Sequence, residues 1–290
     1  MNSAKTILER IMIDVQREIE QAQRIRSRAE LEKMLADAPP VRSFQNALRL
    51  GFGLIAEIKV RSPSRGMMRP ENVAAAPAAY ERSRIVRAIS VLTNATHFGM
   101  DISRLRDVKL KTTKPVLRKD FIYTEYQVIE ARAFGADAVL LMANLLEPTR
   151  LQQLYKLVRD LGMEALVECH TRAEIEHAPK EAKILGINTR AFDLPAATYD
   201  VAQAQVATGA AHDPTTDLAR LELGQYLPAH AIKVAESGLG PEHIPLIRKQ
   251  RVFDAVLVGT RLLTAPEGVE SALAAFEAAS GQTCHSTLAD

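Results

Sequence analysis

The chain is short of cysteine. Its two cysteines, Cys169 and Cys284, lie far apart and form no CxxC. That argues against a disulfide framework or a zinc knuckle and points to a reducing compartment. It also lacks an excess of one charge: 37 Lys+Arg stand against 35 Asp+Glu, a formal net charge of +2. No long basic run is present to collect phosphates, so a nucleic-acid partner is not expected. No apolar run approaches the ~18 residues needed to span a bilayer. The opening residues MNSAKTILER carry charge early and have no apolar core of a signal peptide. The expectation is a cytoplasmic protein with no membrane partner.

What is present is repetition. Eight short apolar runs with β-branched content recur: LIAEIK (54–59), AISVLT (88–93), PVLRKDF (115–121), AVLLMA (138–143), EALVECH (164–170), ILGINTR (184–190), IKVAESG (232–238) and AVLVGT (255–260). Each has the length of a strand and is too apolar for an edge, as in a parallel sheet covered on both faces. Helical patterns lie between them, such as 124–135 and 147–162. Each of these two ends in Gly, the residue that closes helices, and Thr149 is the expected N-cap of the second. Alternating strands and helices build βαβ units, and eight of them close into a (β/α)8 barrel of about 250 residues. The alternative is an open doubly wound sheet. It would carry GxGxxG after the first strand, where this chain has KVRSPSRG.

The expected organisation is a helical extension at 1–50 packed on the barrel, the catalytic barrel at 51–278, and a flexible tail at 279–290. Amphipathic patterns predict helices over 7–27 and 29–40, the second stopped by Pro39 and Pro40. They fit either a plug beneath the barrel or a lid at its active face. A segment from Tyr199 to His230 is long, and VATGAAHDPTTD within it reads as an inserted loop.

Active sites of such barrels lie at the C-terminal strand ends. Here those ends carry Glu57 and Lys59, Lys119 and Asp120, Glu168, Asn188 and Arg190, then Glu236 and Ser237. Side chains alternate along a strand, so Glu57 shares a face with Lys59, and Asn188 with Arg190. That face is assigned to the barrel mouth, because an ion aimed at the helix layer costs several kcal/mol. Lys119 is thus expected in a polar cup flanked by Glu57, Glu168 and Glu236. The alternative is salt bridges stitching the rim. A lysine and glutamates in one cup suit acid–base chemistry. Cys169 should point away from it, and His170 sits at its rim.

Two further loops suit an anion. SPSRG (62–66) supplies Ser62 after the first strand, and ESGLG (236–240) with VGT (258–260) follows the last two. Loops at those ends form the usual phosphate site of the fold, and Gly238 and Gly259 let the backbone approach closely. A phosphate ester is the expected ligand.

IAEIKVRSPSRG, ISVLT, PVLRKDF with YQVIEARAFGADAVLL, LGMEALVECH, LGINTR, VAESG and VLVGTRLL resemble, in order, the signature segments of indole-3-glycerol phosphate synthases. The resemblance implies ring closure of 1-(o-carboxyphenylamino)-1-deoxyribulose 5-phosphate, loss of carbon dioxide and dehydration, without metal or organic cofactor. It implies that Lys119 is the general acid, that Lys59 lies near the substrate carboxylate, and that Glu168 is the base or proton relay. Glu57, Asn188, Arg190 and Glu236 match the cup that orients the substrate. Ser62, Ser237, Gly238 and Gly259 match positions around the phosphate. Phe98 and Phe121 look like walls for the aromatic ring, with Leu140 read as core below them. The chain departs from the family at Ile85, Val86 and Arg87, where small residues are usual, at NATHFGM (94–100), and at Thr189. A Schiff-base aldolase on the same barrel, or a non-catalytic binder of a sugar phosphate, would use some of the same residues.

Overall fold

The computed structural model describes residues 5–207 and 214–281. The expected inserted loop lies partly, and the expected tail largely, outside them. Eight strands form one closed, all-parallel barrel. They are β1 (Gly53–Ile58), β2 (Val86–Leu92), β3 (Val116–Lys119), β4 (Ala138–Met142), β5 (Glu164–Cys169), β6 (Ile184–Asn188), β7 (Ile232–Glu236) and β8 (Ala255–Val258). Pairing of Gly53 with Ala255 joins the last strand to the first. The strands are apolar on both faces because one packs into the barrel and the other under helices. Gly135 (φ 92) and Gly162 (φ 78) follow the helices Glu125–Ala133 and Pro148–Asp160 in the left-handed conformation, as the sequence predicts.

Thr149 is not a cap. Pro148 takes the first helical position, where its missing N–H costs nothing, and Glu147 precedes it without a side-chain cap. The segment before β7 is less loop-like than expected. A helix spans Ala196–Ala207, and a 3-10 helix spans Leu218–Tyr226. Between them Thr216 bridges back to Arg190.

The extension divides the two expected roles between its parts. Helix α1 (Ile7–Ile25) starts at a capping box of Thr6 and Glu9 and buries Ile7, Ile11, Val15 and Ile19. It crosses the C-terminal rim: Ile7 N–H donates to Leu194 C=O after β6, and Arg10 pairs with Asp200 at 3.1 Å. Farther along α1, Asp14 meets His97 at 3.1 Å, and Glu18 accepts from the Thr96 backbone at 2.8 Å and from Asn94 at 2.9 Å, both after β2. Helix α2 (Arg28–Met34) runs down the outside against Glu125–Ala133, with Arg28 on Glu125 at 3.1 Å. Helix α3 (Phe44–Arg49) buries Phe44 and Leu48 at the opposite end, where the Gln45 N–H donates to Glu164 at the start of β5. The buried Asp137 carboxylate ties that end together. It accepts from the backbone of Arg42 (2.6 Å) and Val116 (2.7 Å) and from Lys109 Nζ (2.5 Å).

Candidate active site

The last turn of β3 decides where the chemistry can sit. Lys119 points into the barrel mouth, so its neighbour Arg118 must point outward. Arg118 is an ion in the helix layer, the placement rejected above as too costly, and it survives because every nitrogen of its guanidinium has a partner. Its guanidinium reaches Asp120 (3.0 Å), Glu130 (2.9 Å), the Gln127 carbonyl (2.8 Å) and Thr93 Oγ1 (3.0 Å). A buried charge is tolerable when paired and fully hydrogen-bonded. Asp120 also accepts from Thr93 (2.6 Å) and from the Phe121 N–H (2.9 Å). Two of the three consecutive charges therefore anchor the strand end that aims the third.

Lys119 faces a cavity of about 520 Å³ at the C-terminal rim. The expected residues Glu57, Lys59, Asn188, Arg190, Ser62, Ser237, Gly238, Gly259, Phe98 and Phe121 all line it, and so does Leu140, which the sequence reading took as core. Lys59 and Glu57 share the mouth face, with Nζ 2.6 Å from the carboxylate. The Arg190 backbone donates to Asn188 Oδ1 at 2.9 Å, and its guanidinium reaches Ser64 at 2.9 Å and Thr215. Phe98 stacks on Phe121 with centroids 6.3 Å apart. Ser237 (φ 70) and Gly238 (φ 65) are both left-handed where β7 turns outward, a conformation glycine adopts freely and one that strains the backbone at Ser237.

Glu168 and Glu236 are placed differently from expectation. Both are fully buried and do not form the cavity wall. They lie behind Lys119, whose Nζ is 3.6 Å from Glu168. Gly186 explains the position of Glu236: a Cβ there would sit 1.9 Å from its Oε1. The missing side chain on β6 leaves the niche into which Glu236 leans. Gly259 works likewise, since a Cβ on it would lie 2.4 Å from Glu57 Oε1.

These neighbours separate the two lysines. Burial pulls Lys59 down, Glu57 only partly offsets this, and its pKa stays below that of a free lysine. Burial acts on Lys119 too, but the charges of Glu168, Glu57 and Glu236 outweigh it, and its pKa stands above the ordinary value. Burial would raise Glu57, yet Lys59 and Lys119 hold it low. Glu236 is pushed well above the usual carboxylate range by burial and by the charge of Glu168.

Cys169 is buried in the core and away from the cavity, and burial pushes its thiol up. Thr189 turns away as expected, its hydroxyl donating to the Ser237 carbonyl at 3.0 Å. Among the wall residues that escaped the sequence reading are Phe192, Ile11 and Thr216. Phe192 meets Phe121 edge-on at 6.2 Å. An aromatic two residues beyond Arg190, in a chain only 5% aromatic, was a usable signal. Ile11 and Thr216 come from α1 and the inserted segment, and no strand periodicity points to them.

The family described as Indole-3-glycerol phosphate synthase matches residues 8–275. The chain belongs to the indole-3-glycerol phosphate synthase family. It is 38% identical to the indole-3-glycerol phosphate synthase of Micrococcus luteus, covering 95% of this chain and 98% of that one. It is 40% identical to that of Saccharopolyspora erythraea over 81% of each chain. Among solved structures, the barrel is similar to 3-hexulose-6-phosphate synthase from Salmonella typhimurium (TM-score 0.57, 14% identity, 79% of this chain and 99% of that one), a likeness of fold alone. No described helix is long and apolar enough to cross a membrane.

Proposed function

We propose that this member of the indole-3-glycerol phosphate synthase family closes the indole ring of 1-(o-carboxyphenylamino)-1-deoxyribulose 5-phosphate in its barrel mouth, a carboxy-lyase step of tryptophan biosynthesis. The observation that carries the reading is the pair of lysines with opposite pKa shifts in one cavity of about 520 Å³. Lys119, kept charged, protonates the ketone oxygen as the carboxylated ring carbon attacks it. Lys59, beside Glu57, lies where it can meet the substrate carboxylate and assist the later loss of hydroxide. Glu168 serves as base or relay through Lys119. Glu57, Asn188, Arg190 and Glu236 hold the polar side of the site in place. Ser62, Ser237, Gly238 and Gly259 surround the phosphate, and Phe98, Phe121 and Phe192 wall the aromatic ring. Holding a folded-back substrate in this geometry supplies several kcal/mol more. The scheme moves only protons and the substrate's own electron pairs, so it calls on no cofactor. In this reading residues 1–50 are an extension packed on a catalytic barrel of 51–278, working in the cytoplasm on a phosphorylated small molecule.

The test is direct. The chain has no tryptophan, so the protein itself adds no indole emission to the signal from the product. Indole fluorescence should rise with enzyme concentration. A flat signal with folded protein and authentic substrate would overturn the proposal.

A further inference from the structure

His170 follows β5 and has no part in the scheme above. Its side chain is only 4% exposed. Nε2 lies 3.4 Å from Glu168 Oε1, and Nδ1 lies 3.3 Å from Glu174 Oε2. Glu174, on the helix Arg172–His177, is fixed by the His170 N–H (2.7 Å) and the Thr171 hydroxyl (3.0 Å). Its side chain is 18% exposed and so reaches solvent. Phe192 packs edge-on against the imidazole at 5.6 Å and brings no charge. Behind Glu168 stand Glu236 on β7 and Lys119 on β3. Both carboxylate oxygens of Glu168, both of Glu236, and Nε2 of His170 are buried without a hydrogen-bond partner. Folded proteins rarely leave such atoms unmatched, and five in one place need a reason.

The chemistry supplies one. When the carboxylate departs as carbon dioxide, its electron pair restores the aromatic ring, and the ketone oxygen takes up one proton. In the dehydration, the proton lost from carbon balances the one that expels hydroxide as water. Each turnover therefore consumes one proton from solvent. Lys119 gives that proton and must be recharged, while substrate fills the cavity and Ile11 of α1 closes one wall of it.

We propose that His170 recharges Lys119 from the far side, along the line Glu174, His170, Glu168, Lys119. The inference rests on the ring-closure reading. A solvent proton lands on Glu174 and passes to His170 Nδ1. The proton on Nε2 passes to Glu168 Oε1, and the resulting carboxylic acid turns about its Cγ–Cδ bond and gives that same proton to the neutral Lys119 amine, returning to carboxylate. The imidazole then resets its tautomer, and no electrons change owner. The gaps of 3.3 and 3.4 Å are a few tenths long for hydrogen bonds, as is common in sites without substrate. His170 does not touch the substrate. It is a positioning residue that acts through Glu168.

The test is stopped-flow indole formation by the full chain carrying His170→Ala, with the carboxyphenylamino-ribulose phosphate in excess. Lys119 starts charged, so the first turnover should match the parent. Later turnovers should slow about tenfold at unchanged KM, and added imidazole should restore them. Glu174→Gln, which leaves the buried end intact, should show the same pattern at about threefold and decides the matter if His170→Ala does not fold. Later turnovers at the parental rate would overturn the relay. So would a first turnover that falls in step with the rest, the mark of a merely structural role. If the parent itself makes no indole, it is the ring-closure reading that fails.

Discussion

Replacing Lys119 by methionine removes one charge, and the structure fixes two consequences. The first is kinetic. Without the donor at the ketone oxygen, kcat should fall about 10²- to 10⁴-fold, or roughly 3–5 kcal/mol of barrier. The second is energetic and depends on pH. Lys119 Nζ stands 3.6 Å from Glu168, and Glu236 shares that buried space. An ammonium whose folded pKa is raised stabilises the fold at every pH below the ordinary lysine value and loses that effect only in alkali. Its contribution in the parent is thus constant through neutrality. In the variant the two buried carboxyls face each other without a cation. Glu236 is already raised well above the usual range, and losing the Lys119 charge raises it further. A carboxyl with a raised folded pKa favours the fold below its unfolded value and withdraws that support as pH climbs through the folded one. Breaking a buried pair costs about 3–5 kcal/mol, and that is the expected deficit near neutral to mildly alkaline pH. It should shrink by up to about 1.4 kcal/mol per pH unit on acidification, as the pair takes up protons. Urea unfolding of parent and variant at about pH 5.5 and about pH 8, with indole fluorescence for activity, measures both effects. Activity within tenfold of the parent, or an equal deficit at both pH values, would refute the reasoning.

Two further substitutions probe the frame around that lysine. Gly186→Ala places a methyl 1.9 Å from Glu236 Oε1 and 3.4 Å from Leu166 Cδ1. Overpacking should cost about 1–3 kcal/mol by urea unfolding, and indole formation should fall because Glu236 is evicted from beside Glu168. Asp137→Ala strands the Lys109 ammonium and two backbone N–H groups at the closed end of the barrel. It should cost about 3–5 kcal/mol in stability while KM stays put, since the site lies at the other end.

The eight strands were legible because each is apolar, short and followed by a helix, and a closed barrel has no edges to blur the pattern. The site was legible for a related reason. Alternation along β1, β3 and β6 put Glu57, Lys59, Lys119, Asn188 and Arg190 on one face, where the structure finds them. Depth was not legible. Alternation says that Glu236 points inward but not that the bare Cα of Gly186 lets it sink behind Lys119. Arg118 shows the limit of a cost argument made one residue at a time, because its partners Glu130 and Thr93 come from elsewhere in the chain. Ile11 and Thr216 were invisible for the same reason, since α1 and the segment before β7 meet the cavity only through tertiary packing.

The route of α1 has a consequence for the chain as it is made. Ile7, Ile11, Val15 and Ile19 emerge well before the residues they pack near, and the contact between Arg10 and Asp200 spans 190 residues of sequence. At the pace of a ribosome, about 5–20 residues per second, that stripe stays uncovered for roughly 10–40 s. During that interval the growing polypeptide carries a sticky stripe, and a holdase that shields it would raise the yield of native enzyme without touching the finished fold.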